Sequence, residues 1–206
     1  MVDFNDLDLG YEQVVAIHNY ITNTGSEIAT RLNGNIDKLA NDWVAEDATL
    51  HINNLIDVHN KLVKFIKSSV EALSIATEKI VEVQETRESN GARSAMVGGK
   101  VSRDLDIAGD KAEISTSVKY TSDVAALRGD YDELGQLIEE FRLFADKVNQ
   151  SNEELMSNWI AGNRREETKQ ELESFKVIAA EAKEKMNNAY DKLGTATTNI
   201  ENISEG

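Results

Sequence analysis

Apolar residues along this chain recur at alternating steps of three and four, and they do so twice. Ile56, His59, Val63, Ile66, Val70, Leu73, Thr77 and Ile80 make one series; Leu172, Phe175, Ala179, Ala182, Met186, Ala189, Leu193 and Ala196 make the other. Each series stands at the same distances after a tryptophan, Trp43 or Trp159, the only two in the chain and 116 residues apart. Counting back from them gives Leu39, Ile36, Leu32, Ile28, Gly25, Ile21 and His18, and in the same register Leu155, Asn152, Val148, Phe144, Phe141, Leu137 and Leu134. Such spacing marks the buried face of helices that pack in a coiled-coil-like seam. The pattern predicts four long amphipathic helices, arranged as two copies of one unit in which a tryptophan marks the break.

Local signals set the expected boundaries. The first helix is predicted from about Tyr11 to Asn41, with Asp6 or Asp8 as cap, Gly25 as a close-packing position and a bend or fray at Gly34. The second is predicted from about Ala45 to Ser89, with Asp42 capping it and Glu46 and Asp47 in its first turn. Residues 90–121 form a glycine-rich connector. There Val101, Leu105 and Ile107, then Ile114, Thr116, Val118 and Tyr120, follow a period of two that predicts extended chain or a short hairpin. Thr121 or Ser122 is the expected cap of a third helix reaching Asn158, and a fourth is predicted from about Asn163 to Ile203. The chain thus divides into a helical hairpin over 1–89, a connector over 90–121 and a second hairpin over 122–206.

Composition narrows the function classes. There is no cysteine and no proline, so neither a disulfide nor a thiolate metal site can form and the commonest helix breaker is missing. With 22 Lys and Arg against 37 Asp and Glu the net charge is −15, which disfavours nucleic acid and anionic lipid as partners. No apolar run approaches the roughly 20 residues of a membrane-spanning helix. The acidic N-terminal stretch is unlike a secretory signal peptide, so any export is expected to be leaderless.

Candidate chemistry is sparse. His18 and His59 fall on the seam and read as packed core histidines. His51 has Asp47 one turn back, but zinc wants three or four converging ligands. Gly98-Gly99-Lys100 resembles a phosphate loop only in part, since Ser94 stands in place of the leading glycine and Val101 in place of the metal-binding hydroxyl. Glu166, Glu167, Glu171 and Glu173 read as a solvated helix face. No cofactor or metal is expected, and catalysis is not.

Each half resembles a member of the WXG family, the early-secretory-antigen-like substrates of type VII (ESX-like) secretion. The resemblance rests on the tryptophan position, the flanking seams and the acidic or amide residue before each tryptophan, Asp42 and Asn158. It departs from the family's Trp-x-Gly: the first half reads Trp43-Val44-Ala45, and the second Trp159-Ile160-Ala161-Gly162, its glycine one residue late. The family's export signal, Tyr followed four residues later by Asp or Glu, is not matched at Tyr190, which has Gly194 there. The resemblance implies an all-α fold of two helix-turn-helix hairpins packed antiparallel as a left-handed four-helix bundle. The turns at Trp43, Val44 and Ala45 and at Trp159, Ile160, Ala161 and Gly162 would be structural or would dock a partner. The core would be carried by Ile56, Val63, Ile66, Val70, Leu73, Leu172, Phe175, Met186 and Leu193.

The implied role is non-catalytic: a secreted substrate, export partner or adaptor of a Gram-positive type VII system. It would be extracellular, or cytoplasmic before export, with a secretion ATPase or other WXG-like proteins as partners. The alternative is a helical scaffold, interaction module or pore-forming bundle outside that pathway. In the family's pairing the 32-residue connector must span roughly 50–60 Å, and extended chain of that length reaches about 105–115 Å. A monomeric pseudo-dimer is therefore expected, with a domain-swapped dimer as the competing assembly.

Overall fold

Helices form wherever the three-and-four spacing runs, and the irregularities fall at positions the spacing does not reveal. The computed structural model describes residues 3–43, 45, 47–89, 98–115 and 124–204. In chain order these hold β1 (Asp3–Phe4), α1 (Leu7–Tyr20), a π turn (Ile21–Gly25), α2 (Ser26–Asp42), α3 (Ala48–Ser89), α4 (Val124–Asn158), β2 (Trp159–Ala161) and α5 (Asn163–Ser204). The described chain is mostly helical.

Several boundaries correct the expectation. The first helix begins at Leu7, because Asp6 accepts a hydrogen bond from the Leu9 N–H at 3.0 Å and caps it. Helix α2 runs through Gly34 unbroken, and the irregular turn is the π turn that ends at Gly25. The flanking amides both find partners: Asn33 accepts from Lys111 and Asn35 donates to the Asp130 carbonyl at 3.0 Å. Asp42 closes α2 instead of capping α3, and α3 starts at Ala48, so Asp47 precedes its first turn. Residues 98–115 hold no helix and no paired strand. Thr116, Val118, Tyr120, Thr121 and Ser122 lie outside the described residues.

The chain folds as two compact units, each built from non-contiguous stretches: Met1–Ser26, Lys64–Asp106 and Phe144–Lys176 in the first, Glu27–Val63, Ile107–Leu143 and Val177–Gly206 in the second. The first unit is tied by aromatic rings, one from each of four helices. Tyr20 of α1 stacks on Phe144 of α4 at 5.5 Å, Phe144 meets Phe175 of α5 edge-on at 5.3 Å, and Phe175 stacks on Phe65 of α3 at 4.2 Å. Edge-on and offset-stacked geometries are the ones aromatic quadrupoles favour. Gly25 makes room for this cluster, since a Cβ there would sit 3.0 Å from Phe144 Cζ and 3.1 Å from Ile66 Cδ1.

The second unit is tied by polar pairs and by stacked rings. Arg31 of α2 reaches Glu133 and Glu140 of α4 at 2.8 and 2.5 Å, and Lys185 and Lys61 join Asp57 of α3 to Glu181 and its helix α5 at 2.5–3.0 Å. Tyr131 and Tyr190 stack at 4.1 Å, each ring lying over a glycine of the facing helix, Gly194 and Gly135 respectively. The neighbouring Tyr190 hydroxyl and burial push the Tyr131 hydroxyl up to about 12.

The seam is buried. Ile56, Val63, Ile66, Val70, Leu73, Leu172, Phe175, Met186 and Leu193 are each at most 1% exposed. Ala179 and Ala196 are the exceptions, only half-buried. Helix α3 buries a second stripe one residue over, Leu55, Leu62, Ser69 and Ala76, and so presents a wider face than the seam alone.

Candidate functional site

Both tryptophans occupy the place the repeat predicts. Each follows the last residue of a long helix, Asp42 or Asn158, and precedes another, and each is buried, Trp43 at 4% and Trp159 at 0% exposed. An exposed indole edge is therefore not what either turn presents. Both indole N–H groups are buried without an acceptor. What the second turn shows to solvent is Ile160, 56% exposed, and Ala161, with Gly162 half-buried.

The two turns are built differently. At Trp159 the chain enters β2, which pairs antiparallel with β1 in the register Phe4 to Trp159 and Asp3 to Ala161. The Phe4 ring stacks on the indole at 4.9 Å, and Gly10 lies beneath that ring, where a Cβ would collide with it. Asn158 fastens the same segment: its carbonyl accepts from Asn5 N–H at 2.8 Å, its Oδ1 from Asp6 N–H at 2.9 Å, and its Nδ2 donates to the Asp6 carbonyl at 2.8 Å. Arg165 donates to the carbonyls of Trp159 and Met156, satisfying the open end of α4. Gly162 has φ 118, a conformation that favours glycine. The late glycine of the second half is thus a turn requirement.

Ala45 makes no such demand, because among the described residues only glycine takes a positive φ. Ala45 is half-buried; Val44 and Glu46 lie outside the described residues. The turn is closed by Ala45 and Asp47 carbonyls accepting from Ala48, Leu50 and His51 N–H groups at 3.1–3.3 Å. His51 stacks on the indole at 5.7 Å, and its Nε2 lies 3.5 Å from Asp47, which Lys192 also approaches at 3.7 Å. That pairing orients a ring and leaves no third ligand. Among the described residues no group of three or more His, Asp or Glu side chains could hold a metal ion.

The connector is held by side chains that the seam does not include. In the first unit Thr77 accepts from Val101 N–H at 3.3 Å, while Ser74 and His18 both donate to the Ser102 carbonyl, at 3.3 and 2.9 Å. Arg103 pairs with Glu71 and Glu78, and the Tyr11 hydroxyl donates to the Gly99 carbonyl at 2.6 Å. Gly98 packs against Tyr11, and Ser94 lies outside the described residues.

In the second unit Asn60 brackets Lys111 and Asn53 brackets Ile114, each amide accepting from the N–H and donating to the C=O of one residue at 2.8–3.2 Å. His59, fully buried, donates its Nδ1 proton to Asn60 Oδ1 at 3.1 Å and so holds that amide. Burial lowers the His59 pKa and keeps it neutral. In each unit rising numbers along the connector meet falling numbers along α3. Sequence reasoning missed Asn53 and Asn60, although their one-heptad spacing beside the seam was a signal.

A surface hollow of 890 Å³ lies in the second unit, lined by Arg128, Tyr131, Asp132, Asp191, Thr195 and Asn199 among others. It holds acids of both helices.

No family model, no curated protein and no solved structure matches this chain. Fold and contacts define it as a mostly helical protein. Among the described residues no helix is long and apolar enough to cross a membrane.

Proposed function

We propose that this is a non-catalytic tandem WXG-like protein, a secreted substrate, export partner or adaptor of a type VII (ESX-like) secretion system. The observation that carries the reading is the pair of buried tryptophans, 116 residues apart, each set directly between two long helices with equivalent buried seams. Two hairpins, 1–89 and 122–206, would pack antiparallel as a four-helix bundle joined by the connector 90–121. Pairings within each unit support that arrangement: Gln13 with Glu154 and Tyr20 with Phe144 in one, Arg31 with Glu140 and Asn35 with Asp130 in the other. The buried rings favour a structural part for the tryptophans and leave Ile160 and Ala161 as the surface a secretion ATPase or another WXG-like protein would meet.

The test is export from a Gram-positive host with a type VII locus. A tagged copy should reach the medium, or be captured by cross-linking with a WXG-like protein or the FtsK/SpoIIIE-type ATPase, only while the ATPase is present. Absence of both, or release that is unchanged after deleting the ATPase gene, would overturn the proposal in favour of a scaffold outside that pathway.

A further inference from the structure

The connector fixes which way the Asn60 side chain faces. Its Oδ1 accepts from the Lys111 N–H at 2.8 Å and its Nδ2 donates to the Lys111 C=O at 2.9 Å, and a main-chain N–H and C=O cannot exchange roles. The same Oδ1 lies 3.1 Å from Nδ1 of His59. An amide oxygen only accepts, so the neutral His59 ring carries its proton on Nδ1 and leaves the lone pair on Nε2. That nitrogen is buried with no hydrogen-bond partner among the described residues, on a fully buried side chain. A buried site able to take a proton is thus bonded directly to the amide that clasps the connector.

A proton on Nε2 would place a full charge and a new N–H inside the second unit with no acceptor for it, and both are costly away from water. The charged groups acting on the ring come from the connector and from α2: Lys111 and Asp110 of the one, and of the other Asp37, which Lys111 holds at 2.5 Å. Burial outweighs them. It lowers the His59 pKa against the pull of the Asn60 acceptor, Lys111 adds to the lowering, and Asp110 and Asp37 oppose it. A charged ring gains most by reaching water. The connector is the element that can yield, since residues 98–115 hold no helix and no paired strand and Lys111 is clasped by the residue next to His59.

We propose that His59 is an acid-sensitive catch on the connector: neutral, it steadies Asn60 around Lys111, and on taking a proton at Nε2 it frees Lys111 from α3. The release is local to the second unit, because in the first Val101 is held by Thr77, a side chain that does not titrate. Since the folded value lies below the ordinary 6.5, the opened chain takes up the proton before the closed one. The hold is full above 6.5 and is lost as pH falls through the folded value.

Amide hydrogen exchange of the full chain near pH 7.5 and pH 5.5, expressed as protection over the unstructured rate, tests this, with H59Q as a variant that offers an amide and takes no proton. Relative to H59Q, the protection of the wild-type Lys111 N–H should fall by up to about 10-fold between the two pH values, and that of the Val101 N–H should not. Asp130, its carboxyl pushed up to about 6, titrates in the same interval in both proteins, so the comparison isolates His59. A fall at Lys111 no greater than in H59Q, or an equal fall at Val101, would overturn the proposal. If H59Q does not fold, nitrogen-15 NMR of the wild-type imidazole decides. A bare Nε2 at pH 7.5 and a midpoint below 6.5 that the Lys111 amide shift follows support the catch. A proton on Nε2 at pH 7.5, a midpoint at or above 6.5, a ring still neutral at about pH 5, or a Lys111 amide that does not follow overturns it.

Discussion

Asn60 binds Lys111 as a neighbouring strand would: its Oδ1 accepts from the Lys111 N–H at 2.8 Å and its Nδ2 donates to the Lys111 C=O at 2.9 Å. One side chain thus satisfies both main-chain groups of an extended residue, and Asn53 does the same for Ile114 seven residues earlier on α3. Asn60→Ala should destabilise by about 1–3 kcal/mol, since it strands two partly buried main-chain groups. Lys111→Ala removes only the ammonium contacts with Asn33 and the exposed Asp37 and should stay within about 1 kcal/mol. Denaturant melts followed by circular dichroism check the ranking. Equal effects would mean that the lysine head, not the amide bracket, holds the connector.

Two glycines of the first helical stretch should respond with opposite sign. Gly25→Ala puts a methyl against Phe144 and Ile66 in the aromatic cluster and should destabilise by about 1–3 kcal/mol. Gly34→Ala meets nothing within 4 Å inside a helix and should stabilise by about 0.5–1 kcal/mol. Melting temperatures moving in the same direction for both would contradict the packing described.

Leu73→Ala and Leu193→Ala, each at a fully buried seam position, should cost about 2–5 kcal/mol. Glu173→Ala, which loses a 3.9 Å contact with Lys169, should fall within about 0.5 kcal/mol of neutral. A reversed order in urea titrations would mean that the helix faces are assigned the wrong way round.

The turns should differ in their tolerance. Gly162→Ala forces a side chain into a positive φ and should destabilise by about 1 kcal/mol or more. Ala45→Gly asks nothing new of the backbone and should shift stability by less. Thermal melts of the two variants side by side would show it.

In solution the chain should be a monomer of 22.8 kDa. Light scattering at low micromolar concentration that gave a concentration-independent mass of about twice that value would point to a domain-swapped dimer instead.

The spacing of apolar residues determined which residues are buried, because a helix turns about 100° per residue whatever lies around it. That is why Leu73, Phe144 and Leu193 were legible from sequence, and why Trp43 and Trp159 marked the breaks. The late glycine was legible as an oddity, and its φ of 118 explains it. Other features depend on groups far apart in the chain, which no local periodicity encodes. Phe4 over Trp159 joins residues separated by more than 150 positions, and Gly25 leaves room for Phe144 of another helix. Asp130 reads as one more acid on a charged helix until burial pushes its carboxyl up to about 6. Asn53 and Asn60 read as ordinary polar surface, and only the tertiary structure, by laying an extended chain along α3, made them its hydrogen-bond partners.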